Sequence, residues 1–276
     1  MADDKPRFYY HAHAVALSGE IKHPFQERIA EQAPSSVSPF GGYASIKADD
    51  YDLRGAVRHC GARSLTEGSY SAEKDEHYAV ASASLENFNL FDVVMVEYLT
   101  AKVTAVHSVR QQEPSISPHG SNIRNLRVAG HLIELEPLCG IYHTLDTMTK
   151  VREDYRNNKS FREAFHRDAN VGNGESLPEK VLKFFPWRKH KATDELPEFR
   201  DHTIVPLFRI KDPQVRGIDV YGNVMHVHNF GRIRVGEMFI NRDQRRVVML
   251  HVEMGSPQSG DLNAGTGSGG GGQTDP

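Results

Sequence analysis

Apolar and polar residues alternate with a period of two over most of the first half of the chain. In residues 8–17, His11, His13 and Val15 share one face, and the other face carries small or aromatic residues. The clearest alternation runs from residue 77 to residue 109, where short apolar runs are separated by turn residues. A period of two is typical of β-strands, so this half of the chain is predicted to form a β-domain.

The period changes after residue 140. Ile141, Leu145, Met148 and Tyr155 recur at intervals of three or more residues with charged residues between them, which predicts one helix or a broken pair over residues 142–168. Strand patterns return from about residue 202. The interval between the two β parts is therefore predicted to be a helical insert.

These patterns predict a mainly β protein, an antiparallel β-sandwich or barrel-like domain interrupted by the helical insert. Its expected parts are a first β part (1–140), the insert (141–200), the return strands (201–254) and a tail (255–276). The tail is rich in Gly, Ser and Asn and has no apolar period. We expect it to be flexible and disordered, and dispensable for folding.

Charge and composition narrow the classes of partner. Thirty-three basic residues against 36 acidic ones give a net charge of −3, which argues against general affinity for nucleic acid. No apolar run is long enough for a membrane-spanning helix, and no apolar leader is visible at the start, so a cytoplasmic location is expected. Cys60 and Cys139 lie 79 residues apart. Two reduced thiols and one long-range disulfide both remain open.

Two His-x-His pairs, His11/His13 and His226/His228, lie on predicted strands. Alternation puts both imidazoles of a pair on the same face, about 7 Å apart, which is how one strand supplies two metal ligands. For His226 and His228, the candidates for a third ligand are Glu237, His251 and His107, of which Glu237 is the first to follow the pair along the chain. The sequence thus offers a candidate divalent metal site at His226, His228 and Glu237, and hydrogen-bonded or solvated strand histidines are the alternative.

A short aromatic and basic segment stands out within the insert. It consists of Phe184, Phe185, Trp187, Arg188 and Lys189. Aromatic rings beside cations can form a binding surface for a partner, since long segments that depart from a β-scaffold commonly carry binding groups. The same aromatic rings could instead pin the insert onto the sheet, and both readings remain open.

Part of the chain is similar to a known group of proteins. Small-residue alternation over residues 81–94, a further strand over 100–106 and the step Ser-x-Ile-x-x-Leu-x-Val-x-Gly within 120–130 resemble the repeating β region of bacterial choice-of-anchor P type proteins. Residues 230–237 and 249–255 are similar to the way such proteins end. The resemblance implies a bacterial, β-rich, non-catalytic protein, and it allows a surface location.

The sequence favours a structural or binding role over catalysis. It contains no Gly-x-Ser-x-Gly elbow, no Gly-x-Gly-x-x-Gly that opens a helix after a strand, and no phosphate-binding Walker loop. We therefore expect a protein without a cofactor that self-associates or binds a protein partner. The alternative is a metal-dependent β-barrel enzyme that uses the His-x-His pair.

Overall fold

The computed structural model describes residues 7–108, 113–138, 146–157, 203–211, 213–241 and 244–273. In chain order the strands are β1 (Phe8–His23), β2 (Glu27–Gln32), β3 (Ser35–Ser36), β4 (Gly42–Ala48), β5 (Tyr51–Leu53), β6 (Val57–His59), β7 (Gly61–Ser71), β8 (Glu76–Leu90), β9 (Val94–Ser108), β10 (Ser115–Ser117), β11 (Asn122–Arg124), β12 (Arg127–Val128), β13 (His131–Leu132), β14 (Leu135–Pro137), β15 (Thr203–Pro206), β16 (Phe208–Ile210), β17 (Ile218–Tyr221), β18 (Val224–Val227), β19 (Gly231–Ile240), β20 (Gln244–Met254) and β21 (Ser259–Gln273). Among the described residues, one helix, α1 (Met148–Asn157), lies between β14 and β15.

Two antiparallel sheets contain nearly all of these strands, so the predicted mainly β, antiparallel class is confirmed. Sheet A has the order β17-β18-β19-β20-β21-β1-β2, with β15 beside β19 and β3 beside β1. Sheet B has the order β13-β12-β9-β8-β6-β5, with β7 also beside β8, β4 beside β7, and β10 and β11 beside β9. Strands β14 and β16 form a separate pair.

The sheets pack face to face as a sandwich, with β1, β20 and β21 lying on β7, β8 and β9. At one end the facing side chains are small, because Ala12 and Ala14 of β1 meet Ala81 and Ala83 of β8. Toward the middle and the other end, larger side chains such as Leu85, Phe88 and Leu99 fill the space. The core is therefore thin where alanine and glycine line it and thicker elsewhere.

The expectation for the C-terminal tail was wrong. Residues Ser259–Gln273 form β21, a 15-residue strand hydrogen-bonded to β20 on one side and to β1 on the other. Its glycines allow close approach of the sheets: a Cβ added to Gly269 would lie 3.1 Å from Val103 Cγ1. Paired neighbours on both sides satisfy the backbone, which offsets the entropy that a glycine-rich composition costs.

The helical insert is described only in part. Helix α1 falls inside the stretch predicted as helical, and its Met148 and Val151 are buried. The chain just before it is tied to sheet B, because the Ile116 amide donates to the Asp146 carbonyl at 2.8 Å. The rest of the predicted insert, residues 141–145 and 158–200, lies outside the described residues.

Two further features bear on the sequence expectations. Cys60 is exposed and carries a free thiol, and Cys139 lies outside the described residues. The described part of the chain contains no helix that is long and apolar enough to cross a membrane.

Candidate functional site

A tight hairpin at the edge of sheet A positions the first group of chemically interesting side chains. Strands β17 and β18 pair so that Asp219 lies directly opposite His226. Asn223, in the turn between them, is buried, and its side-chain amide donates to the Val235 carbonyl at 3.1 Å. The Val235 amide donates back to the Asn223 carbonyl, so the turn is fixed on β19.

His226 and His228 face the same side, as alternation predicts, and their ring centroids are 5.5 Å apart. The group that completes this set is Asp219. His228 Nε2 donates to Asp219 Oδ2 at 2.8 Å, and His226 Nδ1 lies 3.8 Å from the same oxygen. One ligand atom from each of the three lies within 4.8 Å of the other two. We name Asp219, His226 and His228 the hairpin cluster.

The hairpin cluster is partly open to solvent. Asp219 and His228 are 48% and 53% exposed, whereas His226 is 26% exposed. Burial, followed by the neighbouring His228, lowers the pKa of His226. His226 is therefore a neutral imidazole at neutral pH, which is the form that can bind a metal.

Glu237 does not join His226 and His228, so the predicted third ligand is corrected. The residue of β19 opposite His226 is Arg232. Glu237 lies five positions further along that strand, about 17 Å away at the usual strand rise. It is buried near Arg234 and His251, and burial raises its pKa. Among the other candidates, His251 lies on β20 and belongs to a different group, while His107 lies on β9 of sheet B.

A second group on the outer face of sheet A consists of His251, Glu253 and Asp261. His251 Nε2 donates to Asp261 Oδ2 at 2.9 Å, and this hydrogen bond is the main cause that lowers the pKa of Asp261. Glu253 accepts from Arg232 and, at 2.5 Å, from Arg234. We name the three residues the β20–β21 cluster. Its central carboxylate already has two guanidinium partners, which is typical of a structural ion-pair network.

Cross-strand register arranges these charges in one row. Each residue of the row lies directly opposite the next on the neighbouring strand, from β17 to β1: Asp219, His226, Arg232, Glu253, Asp261 and Glu20. Directly opposed side chains in a sheet interact. The opposite charges of Arg232 and Glu253 stabilise the sheet, whereas the pairs Glu253–Asp261 and Asp261–Glu20 place like charges opposite each other. The outer face of sheet A around Arg232 and Arg234 is therefore polar, and both arginines are ion-paired with Glu253.

The other His-x-His pair lines an open groove on the same face of sheet A. The groove has a volume of about 680 Å³, and His11, His13, Ser268, Gln244 and Arg246 are among its lining residues. His11 is hydrogen-bonded to the Ser268 hydroxyl at 3.2 Å and to the Gln244 side chain. Burial, and then His13, lowers the pKa of His11. His11 is thus a hydrogen-bonded strand histidine, which is the alternative to metal binding that the sequence left open.

The predicted binding residues of the insert, Phe184, Phe185, Trp187, Arg188 and Lys189, lie outside the described residues. Whether that segment binds a partner or pins the insert onto the sheet therefore stays a prediction.

A different candidate for binding lies at the edge of sheet B. Strand β4 pairs with β7 on one side, and no described strand pairs with its other side. Tyr43 and Ile46 of β4 are 65% and 42% exposed, and Phe40, two residues before the strand, is 72% exposed. These are three of the six large apolar side chains exposed in the described part of the chain. Sequence reasoning missed this edge, although Tyr43 and Ile46 lie within a short run free of proline.

Comparison with known proteins gives one family. A family model described as "Domain of unknown function (DUF8256)" matches residues 8–241. No curated protein and no solved structure matches the chain. The match covers β1 to β19 and thus most of both sheets. The chain belongs to the DUF8256 family.

Proposed function

We propose that this chain is a non-catalytic binding protein that self-associates through the open edge of β4. The observation that carries the proposal is the exposure of Gly42–Ala48 along a full strand that has a hydrogen-bonded neighbour on one side only among the strands that the structure describes. An unpaired strand edge presents a row of amide and carbonyl groups that another strand can pair with.

The side chains of β4 favour a second copy of the same strand as the occupant. When two copies pair antiparallel about Ser45, Tyr43 of one copy faces Lys47 of the other, and Ala44 faces Ile46. An ammonium group over a tyrosine ring is attractive, and apolar pairs across strands are stabilising. No two like charges oppose each other in this register, so the strand is complementary to itself.

The other long edge of the sandwich is protected against such pairing. Strand β2 closes sheet A, and Glu27, Arg28 and Glu31 of this six-residue strand are charged. Charged side chains on an edge strand disfavour association with a further strand. The only charged residue of β4 is Lys47, which is ion-paired with Asp49 at 3.6 Å. The contrast between the two edges supports β4 as the association surface.

The resemblance of residues 81–94 and 120–130 to choice-of-anchor P type proteins supports the same class of function, because it implies a β-rich protein without catalysis. In this proposal the sandwich is a rigid support, and the outer face of sheet A stays accessible in the dimer because β4 belongs to sheet B.

The experiment is a measurement of molar mass by sedimentation equilibrium on the full chain and two variants. We expect the wild-type chain to approach twice 30.9 kDa as concentration rises. Ile46→Lys should shift the equilibrium toward monomer, because it removes the apolar pair with Ala44 and places one cation of each copy at diagonal positions on the same face. The matched control is Ala30→Lys, which adds the same charge to an exposed position on β2. The proposal fails if wild type is monomeric throughout, or if both variants weaken association equally.

A further inference from the structure

We infer that the hairpin cluster, Asp219, His226 and His228, is a binding site for one divalent metal ion of the zinc class. The inference is independent of self-association, since the cluster lies on sheet A and β4 lies on sheet B. It rests on three ligand atoms that two adjacent strands bring within 4.8 Å of one another.

The distances in the cluster are close to those of a coordinated ion. Bonds of 2.0–2.1 Å in tetrahedral geometry separate two ligand atoms by about 3.3 Å. Asp219 Oδ2 lies 2.8 Å from His228 Nε2 and 3.8 Å from His226 Nδ1. To reach the tetrahedral value, the distance from Asp219 to His228 must lengthen by about 0.5 Å, and the distance from Asp219 to His226 must shorten by about as much. Rotation of partly exposed side chains supplies such a shift without moving the strands.

The donor atoms select the class of metal. Two imidazole nitrogens and one carboxylate oxygen suit zinc, cobalt or nickel, whereas calcium and magnesium prefer oxygen ligands throughout. Solvent reaches Asp219 and His228, which are about half exposed, so water can occupy the remaining coordination position.

Neighbouring charges favour the hairpin cluster over the β20–β21 cluster. Glu253 of the β20–β21 cluster is paired with both Arg232 and Arg234, so an added cation would meet two guanidinium groups at close range. Arg232 is also the cross-strand neighbour of His226, and it is itself paired with Glu253. The hairpin cluster therefore retains a carboxylate, on Asp219, that the arginines do not neutralise.

A bound ion would join β17 to β18 through their side chains. Because these two strands end sheet A, the metal would stabilise the hairpin against local opening. The expected consequence of binding is a higher melting temperature with metal, provided that the three ligands are intact.

The test uses the full chain without a histidine tag, titrated with Co²⁺ and followed by visible absorption, and with Zn²⁺ followed by calorimetry. We expect one equivalent of metal per chain and visible bands in the presence of Co²⁺. Asp219→Asn and His228→Ala should weaken binding by more than about tenfold, since loss of even an outer-sphere partner of a ligand costs that much. The matched control, His251→Ala, should stay within about twofold of wild type.

Three results would overturn the inference: no saturable binding to wild type, unchanged affinity in Asp219→Asn and His228→Ala, or loss of affinity in His251→Ala alone. Melting curves without metal show whether each variant is folded, and a metal-dependent rise in melting temperature in wild type alone supports the site. Binding that persists in Ile46→Lys separates this result from the fate of the self-association proposal.

Discussion

At the scale of single residues, Gly265 of β21 is held in a conformation and a space that other residues do not fit. Its φ is +61°, and a Cβ at this position would lie 2.4 Å from Leu99 Cδ1, which belongs to the buried core of the opposite sheet. Any side chain here adds backbone strain to overpacking.

We predict that Gly265→Ala lowers the free energy of unfolding by about 2–4 kcal/mol, from the strain of a positive φ and from overpacking against Leu99. The matched control is Gly272→Ala on the same strand, where the added Cβ meets nothing within 4 Å and which should change stability little. Denaturant unfolding of both variants measures the difference. Equal stability of the two variants would contradict the proposed packing of β21.

Histidines at one end of the sandwich make stability depend on pH. His77 and His107 lie directly opposite each other on β8 and β9, and the Tyr10 hydroxyl donates to His77 Nδ1 at 2.7 Å. Burial, and then His107, lowers the pKa of His77, and burial lowers the pKa of His107. The unfolded chain therefore binds more protons than the folded chain below the ordinary histidine pKa of 6.5.

We predict that stability is greatest above pH 6.5 and falls as the pH is lowered from there through the depressed pKa values of the folded chain. Thermal unfolding at a series of pH values measures the slope. The double variant His77→Gln/His107→Gln should flatten it, while His131→Gln, at an exposed position on β13, should leave it unchanged. A double variant that follows the wild-type slope would rule out these two groups as a cause.

At the scale of elements, β21 joins the two halves of sheet A. It lies between β20 and β1, so the first and last described strands of the chain are neighbours. The family match ends at residue 241, before β20 and β21, yet both strands lie in the middle of the sheet order. The strand with the simplest composition is thus central to the fold.

We predict that truncation after Met254 abolishes cooperative unfolding. It removes a strand with hydrogen-bonded neighbours on both sides, and it exposes the edges of β20 and β1 together with Ala12 and Ala14 of the core. Circular dichroism melts and solubility report the loss, and truncation after Gln273 is the control. A truncated chain with a wild-type melt would show that β21 is dispensable after all.

Strand β8 could be predicted from the alternation of its side chains. The glycine-rich strand β21 could not, because glycine has no side chain to alternate. The alternation of Ala79, Ala81 and Ala83 with more exposed residues correctly predicts β8. Alternation has no meaning over Gly269–Gly272, where every position lacks a side chain. Composition alone then indicates a flexible tail. The strands that order it, β1 and β20, cannot be recognised as its neighbours from the local sequence.

Two of the three residues of the candidate metal site, His226 and His228, could be predicted from the sequence, and the third could not. Spacing along one strand places His226 and His228 on a common face, but it carries no information about the strand beside them. The third group, Asp219, is fixed by the turn at Gly222 and Asn223, which sets the register of the hairpin. Glu237 was chosen by its position along the chain, and the register of β18 on β19 places Arg232 there instead.

At the scale of the whole molecule, sheet A and the open side of β4 carry different side chains. Sheet A has a row of polar and charged side chains across its outer face and a charged edge at β2. Edge strand β4 is largely exposed on both faces, and Lys47 is its only charged residue. The proposed association therefore uses an edge with few charges, and the proposed ion site uses a polar face of the other sheet.

The most direct test of self-association is hydrogen exchange of the full chain at two protein concentrations, one on each side of the association equilibrium. Exchange of the amides in Gly42–Ala48 should slow as concentration rises, because the open edge gains hydrogen-bond partners. Exchange in Glu27–Gln32 on the charged edge should not change. Identical exchange of Gly42–Ala48 at both concentrations, in a sample whose mass has doubled, would place the interface elsewhere and contradict the account.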